Sequence, residues 1–509
     1  MDVARAERVR GSSACHHVRV PIEVTFELFP WQRAALEAWV RGDRRGPHRG
    51  TLEIFTGGGK TLIALACWQE ATRRDPETRL AVVIPTEALA RQWREAVVEH
   101  TSVPLEKVGV LGAGEHADFT EHDVLIAVIN SAAKVLPDLA RAAQPLMLVV
   151  DECHRAGAPS FQRVLDTQAT YRLGLSATPD REEVDEEGEP IEYDEHVLGQ
   201  KLGEVVFGFS LADARREGWL PDYVINHHGV HLLPVERSEY EAVSRRIDEV
   251  GEQLQALGGD TGRARALVGR GDELGQVAQQ YITATARRKD LLYRAAERHR
   301  VAVRLVRAAH QQRERPRILL FHERVAEAEE LFAALHEEFG DEVGLEHSRL
   351  PDGRRATTLQ AFRDGTIDVL VSVKSLIEGI DVPAADVGIS VASTSSVRQR
   401  VQSLGRVLRK PLEAGAAKDA EMHLIYVADT VDEVIYAKED WADLTGEAAN
   451  RYWLWPDRET ALACCTRIGY GRYRTSVFAA MTKSLRCRPL ILCVHHVTVV
   501  LPHSVSSAG

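Results

Sequence analysis

The run Ile54-Phe55-Thr56-Gly57-Gly58-Gly59-Lys60-Thr61 constrains this chain more than any other stretch. It follows a short apolar segment and leads into Leu62-Ile63-Ala64-Leu65-Ala66, which reads as a buried helix. A glycine loop between strand and helix turns its backbone N–H groups toward a phosphate, and the helix N-terminus adds positive potential. In such a loop Lys60 reaches the β- and γ-phosphates of a nucleotide, and the Thr61 hydroxyl holds Mg²⁺. The general phosphate-loop pattern has a glycine five residues before Gly59, where this chain has Ile54. The alternative is a glycine-rich turn that binds nothing, and the rest of the chain argues against it.

The segments downstream alternate in a regular way. Leu80-Ala81-Val82-Val83-Ile84, Val124-Leu125-Ile126-Ala127-Val128-Ile129 and Leu146-Met147-Leu148-Val149-Val150 are continuous apolar runs. Such runs mark strands buried on both faces. They end in Pro85-Thr86, Asn130-Ser131 and Asp151-Glu152-Cys153-His154, and Leu173-Gly174-Leu175 leads into Ser176-Ala177-Thr178-Pro179. Strands alternating with helices predict a parallel sheet wound on both faces, with functional residues at the carboxyl ends of strands. Upstream, Leu28 to Leu36 opens a helix with Pro30 suited to its first turn. Gln32 lies in that turn, and its amide offers the donor and acceptor that the edge of adenine needs. A solvated helix glutamine explains Gln32 as well.

From Asp180 to Glu195, ten of sixteen residues are acidic, as in an exposed loop. Tyr240, Val243, Ile247, Val250, Leu254 and Leu257 then form one apolar helical stripe. A second helical region carries basic residues from Arg287 to Arg307, which suit either phosphate contacts or a solvated face. A second sheet is expected from Ile318-Leu319-Leu320-Phe321, Val369 to Val373, Val387 to Val391 and His423 to Val427.

With 509 residues the chain has room for about three domains. It has a hydrophobic content of 44% and a charged content of 27%, as in a soluble globular protein, and no apolar run suited to a membrane. Met1 to Val20 is Arg-rich without a signal-peptide core, and the seven cysteines form no disulfide framework. A reducing cytoplasm is the expected setting. The net charge of −12 argues against a globally basic nucleic-acid binder but permits a local basic channel. The tail departs from this composition. Thr460 to Gly509 has no Asp or Glu and holds Cys464, Cys465, Cys487 and Cys493. Cys487, Cys493, His495 and His496 lack the paired short spacings of a zinc ribbon, and a non-native C-terminus is an alternative account of the change.

Phosphoryl transfer needs a carboxylate to hold Mg²⁺ and a group to orient the attacking water. Asp151 suits the first role, through water on the metal, and Glu152 the second. A solvated acidic pair is a poor explanation of two carboxylates that follow five apolar residues.

Gln32, the loop Thr56 to Thr61, Asp151-Glu152-Cys153-His154, Ser176-Ala177-Thr178 and Gln402-Ser403-Leu404-Gly405-Arg406-Val407-Leu408-Arg409 follow the order found in superfamily-two helicases. Loops of that superfamily usually lack the glycine that Ile54 replaces. The chain resembles the XPB-like branch most closely. Arg181-Glu182-Glu183 is similar to that branch's Arg-Glu-Asp element, with Glu183 in place of Asp. The resemblance covers about residues 26 to 430. It implies an α/β fold of two RecA-like doubly wound parallel-sheet domains with a helical insertion between them, and ATP in the cleft.

The resemblance further implies that Gln32 reads adenine and that Thr56, Gly57, Gly58, Gly59, Lys60 and Thr61 hold phosphates and Mg²⁺. Asp151 and Glu152 carry the metal and water roles. His154, Ser176 and Thr178 couple the nucleotide to domain movement. Glu378, Gly379, Asp381 and Gln402 lie at the cleft, and Arg406 and Arg409, three apart on one helix face, enter the ATP site from the second domain. Pro85, Thr86, Asn130, Ser131 and Ser372 hold a nucleic-acid backbone without reading sequence, though plain loop capping explains each singly.

The expected domains are an N-terminal arm (1–25), a first RecA-like domain (26–235), a helical insertion (236–312), a second RecA-like domain (313–430) and a C-terminal extension (431–509). The expected activity is an ATP-dependent helicase or translocase on DNA rather than RNA, with no membrane partner and an unidentified nuclease or repair partner. The alternatives are a duplex DNA translocase of a restriction, defence or repair complex that separates no strands, and a nucleotide-gated clamp. An intact Glu152 argues against the clamp.

Overall fold

The computed structural model describes residues 21–179, 191–220, 222–373, 385–392, 420–436, 441, 445, 449–456 and 466–468. Their strands form two eight-stranded sheets. The first contains β1 (Arg49–Ile54), β2 (Arg79–Ile84), β3 (Val108–Gly112), β4 (Glu115–His116), β5 (Val124–Val128), β6 (Leu146–Asp151), β7 (Tyr171–Ser176) and β8 (Val205–Phe209), in the order β4-β3-β5-β2-β6-β7-β1-β8. Only β4 runs antiparallel, against β3.

Continuous apolar runs arise because both faces of the sheet are covered. Leu80, Val82 and Ile84 of β2 enter one core, while Ala81 and Val83 enter another. β6 divides in the same way, Met147 and Val149 against Leu146, Leu148 and Val150. Helices Pro30–Arg41, Lys60–Arg74 and Glu87–His100 cover the first face, and Ile129–Leu139 the second. The two-residue period of a strand converts an all-apolar run into two half-cores.

The second sheet contains β9 (Tyr223–Val230), β10 (Ile318–His322), β11 (Val343–Glu346), β12 (Val369–Val373), β13 (Val387–Ala392), β14 (Ala420–Val427), β15 (Asn450–Leu454) and β16 (Thr466–Ile468). Their order is β11-β12-β10-β13-β14-β9-β15-β16. The two doubly wound parallel sheets expected from the sequence are therefore present.

Three expected boundaries move. β9 falls inside the expected first domain, yet pairs in parallel with β14 from Tyr223↔Ala420 to Val230↔Val427. The boundary at 235 is thus too late, and the chain leaves the first sheet before Tyr223. Helix Ala296–Gln312 falls inside the expected insertion, but buries Val301, Ala302, Leu305 and Val306 in the core of the second sheet. The extension beyond 430 is not separate either, because β15 pairs in parallel with β9 and β16 pairs antiparallel with β15. What projects as an insertion is helices Pro234–Ala256 and Glu273–Tyr293, with a small core of Val250, Leu254, Ala264, Val277 and Ala278.

β15 is fastened by polar seams as well as by its ladder. Trp455 Nε1 donates to His228 Nδ1 at 3.0 Å, and His228 Nε2 meets His423 Nδ1 at 3.0 Å. An indole N–H can only donate, so His228 must accept at Nδ1 and donate from Nε2. One tryptophan thereby fixes the tautomers of two histidines on adjacent strands.

Arg298 corrects another expectation. It belongs to the basic region between Arg287 and Arg307, yet it is only 1% exposed and cannot meet a phosphate. Its guanidinium donates to Leu292 O at 2.9 Å and Val391 O at 2.6 Å, reaches Ile425 O and pairs with Asp432. Arg287 and Arg307 pair with Glu239 and Glu338. Removing one partner of a buried ion pair strands the other, at about 3–5 kcal/mol. Arg298→Ala should therefore lower the urea midpoint of the second sheet's transition by a corresponding amount. A midpoint equal to the parent's would contradict this role.

No described helix is long and apolar enough to cross a membrane.

Candidate active site

The carboxyl ends of β1, β6 and β7 carry the chemistry. Ile54 is the last residue of β1 and is fully buried. The position where the general pattern has glycine is thus core strand here, and the turn is made later. Gly57 and Gly59 take positive φ, 92° and 77°, and Gly59 caps helix Lys60–Arg74. A Cβ on Gly59 would also lie 2.7 Å from Gln32 Nε2, so that position is closed to side chains twice over.

Gln32 is buried and braces the loop. Its Oε1 accepts from Phe29 N at 3.1 Å, and its Nε2 donates to Gly58 O at 3.0 Å. Each end of the amide keeps one further valence, which leaves the adenine role open as a proposal.

Asp151 closes β6 and is 8% exposed. Trp93 Nε1 donates to Asp151 Oδ2 at 2.9 Å, and the Glu152 N–H donates to Oδ1 at 3.0 Å. Trp93 lies on helix Glu87–His100, outside every motif in the sequence. The available signal was that a buried indole needs an acceptor. Glu152 has φ 47° and ψ 53°, a left-handed conformation that is rare for a residue with a Cβ and concentrates at functional sites. Its carboxylate lies 3.7 Å from Lys60 Nζ and 3.6 Å from His154 Nδ1. His154 Nδ1 lies 3.2 Å from Ser176 Oγ, which accepts from Thr178 N at 3.1 Å. Lys60, Glu152, His154, Ser176 and Thr178 thus form one contiguous chain across three strand ends.

Burial pushes the Asp151 carboxyl up to about 6, with the Glu152 charge adding to the rise; Lys60, the Trp93 indole and the Glu152 N–H oppose it. The folded value exceeds the ordinary 3.8, so between about 4 and 6 the folded state holds more protons than the unfolded one. Stability should then fall as pH rises through that window, and Asp151→Asn should flatten the slope. Parallel urea titrations from pH 4 to 7 test this, and parallel profiles for parent and variant would refute it.

These residues suit Mg²⁺ and a nucleoside triphosphate. A second carboxylate and burial destabilise the Asp151 charge, a load that a bound cation relieves. The loop N–H groups and Lys60 suit phosphate oxygens. The hydroxyls of Thr56 and Thr178 are buried without a hydrogen-bond partner among the described residues, which leaves them for a ligand. Thr61, half-buried in the first turn, and Asp151 would hold the metal.

The expected nucleic-acid residues divide. Thr86 caps helix Glu87–His100 with its hydroxyl unpartnered, Asn130 is exposed, Ser131 half-buried and Pro85 buried, all at strand ends. Ser372 does not fit. It is fully buried within β12 and its hydroxyl donates to Glu346 Oε2 at 3.1 Å, while Arg355 grips the other carboxylate oxygen. A hydroxyl facing a buried carboxylate is a structural contact. Glu378, Gly379, Asp381, Gln402, Arg406 and Arg409 lie outside the described residues, as do Arg181-Glu182-Glu183 and the tail cysteines and histidines.

Comparisons with known proteins show what the chain resembles. Residues 25–181 match the family described as "Type III restriction enzyme, res subunit", and 299–411 match "Helicase conserved C-terminal domain". The chain is 25% identical over 414 residues to "DNA 3'-5' translocase XPB2" of Sulfurisphaera tokodaii, covering 80% of this chain and 82% of that protein. It is 26% identical to "Putative DNA 3'-5' helicase Rad25" of Haloarcula marismortui and 27% identical to "DNA 3'-5' helicase XPB" of Kineococcus radiotolerans. Those matches cover 74% and 80% of this chain but only 49% and 61% of the relatives. Among solved structures, the "ATP-dependent Type ISP restriction-modification enzyme LlaBIII bound to DNA" aligns with a TM-score of 0.57 at 15% identity, over 91% of this chain and 33% of that one. A "putative HsdR subunit of a type I restriction enzyme from Vibrio vulnificus" aligns at 0.52 and 15%, over 83% and 68%. At that identity the structures speak for fold alone. The first family match falls on the first sheet and the second on the second sheet, and with the relatives they make this chain, by similarity, an XPB-like superfamily-two helicase.

Proposed function

We propose that this chain is an ATP-driven motor that moves along nucleic acid, DNA rather than RNA, by hydrolysing ATP at the carboxyl ends of β1, β6 and β7. The observation that carries the reading is the contiguous chain from Lys60 through Glu152 and His154 to Ser176. A clamp without turnover has no use for a carboxylate held against both the phosphate-binding lysine and the histidine that reaches the next strand end. The preference for DNA rests on the names of the relatives.

In this reading the loop N–H groups and Lys60 hold the triphosphate, and Gln32 keeps the loop in its binding shape. Glu152 orients the attacking water and accepts its proton. Bound Mg²⁺ would neutralise charge on the phosphates. When the charge at Lys60 and Glu152 changes, His154 can redistribute its hydrogen bond between Glu152 and Ser176. That shift would reach the Ser176-Ala177-Thr178 segment and, through it, the second domain.

The test is ATP hydrolysis with and without DNA. Duplex and single-stranded DNA should stimulate turnover irrespective of sequence, and stimulation should weaken steeply between low and physiological salt because counterion release dominates. Hydrolysis indifferent to any nucleic acid, or tight binding unchanged by salt, would refute the reading. A strand-displacement assay beside a triplex-displacement assay separates a helicase from a translocase that leaves the duplex closed.

A further inference from the structure

At the opposite edge of the second sheet from its strand carboxyl ends, three ligand-type side chains converge from three elements. His310 lies near the end of helix Ala296–Gln312, Glu342 immediately precedes β11, and Asp368 immediately precedes β12. One ligand atom from each lies within 4.8 Å of the others. The His310 Nδ1 lies 3.0 Å from Val306 O, and a carbonyl can only accept, so Nδ1 carries the proton. Nε2 is thereby left as a bare lone pair. It is buried and has no hydrogen-bond partner among the described residues. Phe339 stacks on the ring at 4.6 Å and fixes its plane.

We propose that His310, Glu342 and Asp368 form a binding site for a divalent transition cation of the zinc class. A histidine whose Nδ1–H is held by a backbone carbonyl keeps its Nε2 lone pair for a metal, the tautomer that such ligands have. Zinc–nitrogen and zinc–oxygen bonds of about 2.0–2.2 Å allow two ligand atoms to sit up to about 4 Å apart across the ion. The three ligand atoms lie within 4.8 Å of one another, and a bound ion would draw them to that span. An imidazole in the set disfavours Mg²⁺ and Ca²⁺, which take oxygen ligands, and favours zinc and its neighbours.

Two arginines flank the site. Arg315 pairs with Asp368 Oδ1 at 3.2 Å, and Arg317 also faces Asp368 and Asp386. Arg315 is 64% exposed and also donates to Gly365 O at 2.6 Å, and a carboxylate has lone pairs on both oxygens. Backbone bonds keep the frame: Asp368 N donates to Glu342 O at 2.9 Å, and Ile318 N to Asp368 O at 2.8 Å. A cation here would tie helix Ala296–Gln312 to the starts of β11 and β12. It would act on the second sheet apart from the Mg²⁺ position at Asp151.

The full chain, stripped with chelator and dialysed against Zn²⁺, tests the site by metal content per chain. The parent should hold one equivalent more than either His310→Ala or Glu342→Gln, with all three folded by circular dichroism. The tail cysteines are common to all three chains and cancel in the difference. Glu342 is exposed, so its variant keeps the test valid if His310→Ala does not fold. Equal zinc in the parent and a folded variant, or none in the parent, overturns the site.

Discussion

Glu152→Gln should bind ATP and DNA yet hydrolyse about 10²–10⁴ times more slowly than the parent, the range a positioned general base contributes. That corresponds to about 3–5 kcal/mol of barrier. The substitution is nearly isosteric and keeps the left-handed backbone at 152 as strained as before, so the loop geometry should survive. What it removes is the charge between Lys60 at 3.7 Å and His154 at 3.6 Å, and with it the proton acceptor. Nucleotide affinity should hold or rise. Part of the upward push on the Asp151 carboxyl comes from the Glu152 charge, and a neutral amide relieves it, leaving Asp151 more fully ionised for Mg²⁺. Steady-state ATPase within a few-fold of the parent would show that Glu152 is an ordinary acidic neighbour. The comparison of turnover with affinity in one preparation separates that outcome from simple loss of fold.

What was legible in the sequence follows from local physics. β2, β5 and β6 are continuous apolar runs because both faces are covered, and the run itself carries the information, whereas β1 and β7 carry Arg49, Glu53 and Arg172 within theirs. β6 could be read from Leu146 to Val150, and Asp151 at its end followed. Long-range pairing was not legible. β9, with Asn226, His227 and His228 at its centre, is not an apolar run, and its ladder partner β14 lies almost two hundred residues later. Nothing in Tyr223 to Val230 records which sheet will accept it. The same blindness affected side chains whose partners are distant. Ser372 at the end of an apolar run looks like the polar residues that end β2 and β5, and only the fold brings Glu346 beside it. Arg298 sits among exposed arginines in sequence, but the helix turns it toward the carbonyls of β13 and β14. Trp93 and Asp151 are far apart in the chain and meet because helix Glu87–His100 packs on the sheet over β2, the neighbour of β6. Motif chemistry was thus readable wherever the motif was local, and second partners were not.

Arg406→Ala and Arg409→Ala should each cut DNA-stimulated turnover by about 10³–10⁵, the range of an arginine finger. That is about 4–7 kcal/mol of barrier. Both lie hundreds of residues from Lys60, in the segment between β13 and β14 that falls outside the described residues, so the expectation rests on the motif Gln402 to Arg409. The reasoning is electrostatic. Lys60 and the loop N–H groups already neutralise the ground-state phosphates from the first sheet. Charge that builds on the γ-phosphate during bond cleavage needs cations on its open side, and only the second domain can supply them. Groups that meet charge present only in the transition state alter rate far more than affinity. ATP affinity should therefore fall only modestly in both variants. Two exposed arginines in ordinary surface pairs would matter by about 0–1 kcal/mol, and the gap between that and the expected loss is wide enough for one ATPase measurement to decide. If both variants hydrolyse ATP within a few-fold of the parent, the catalytic site is confined to the first sheet, and the second sheet must couple to it by contact alone.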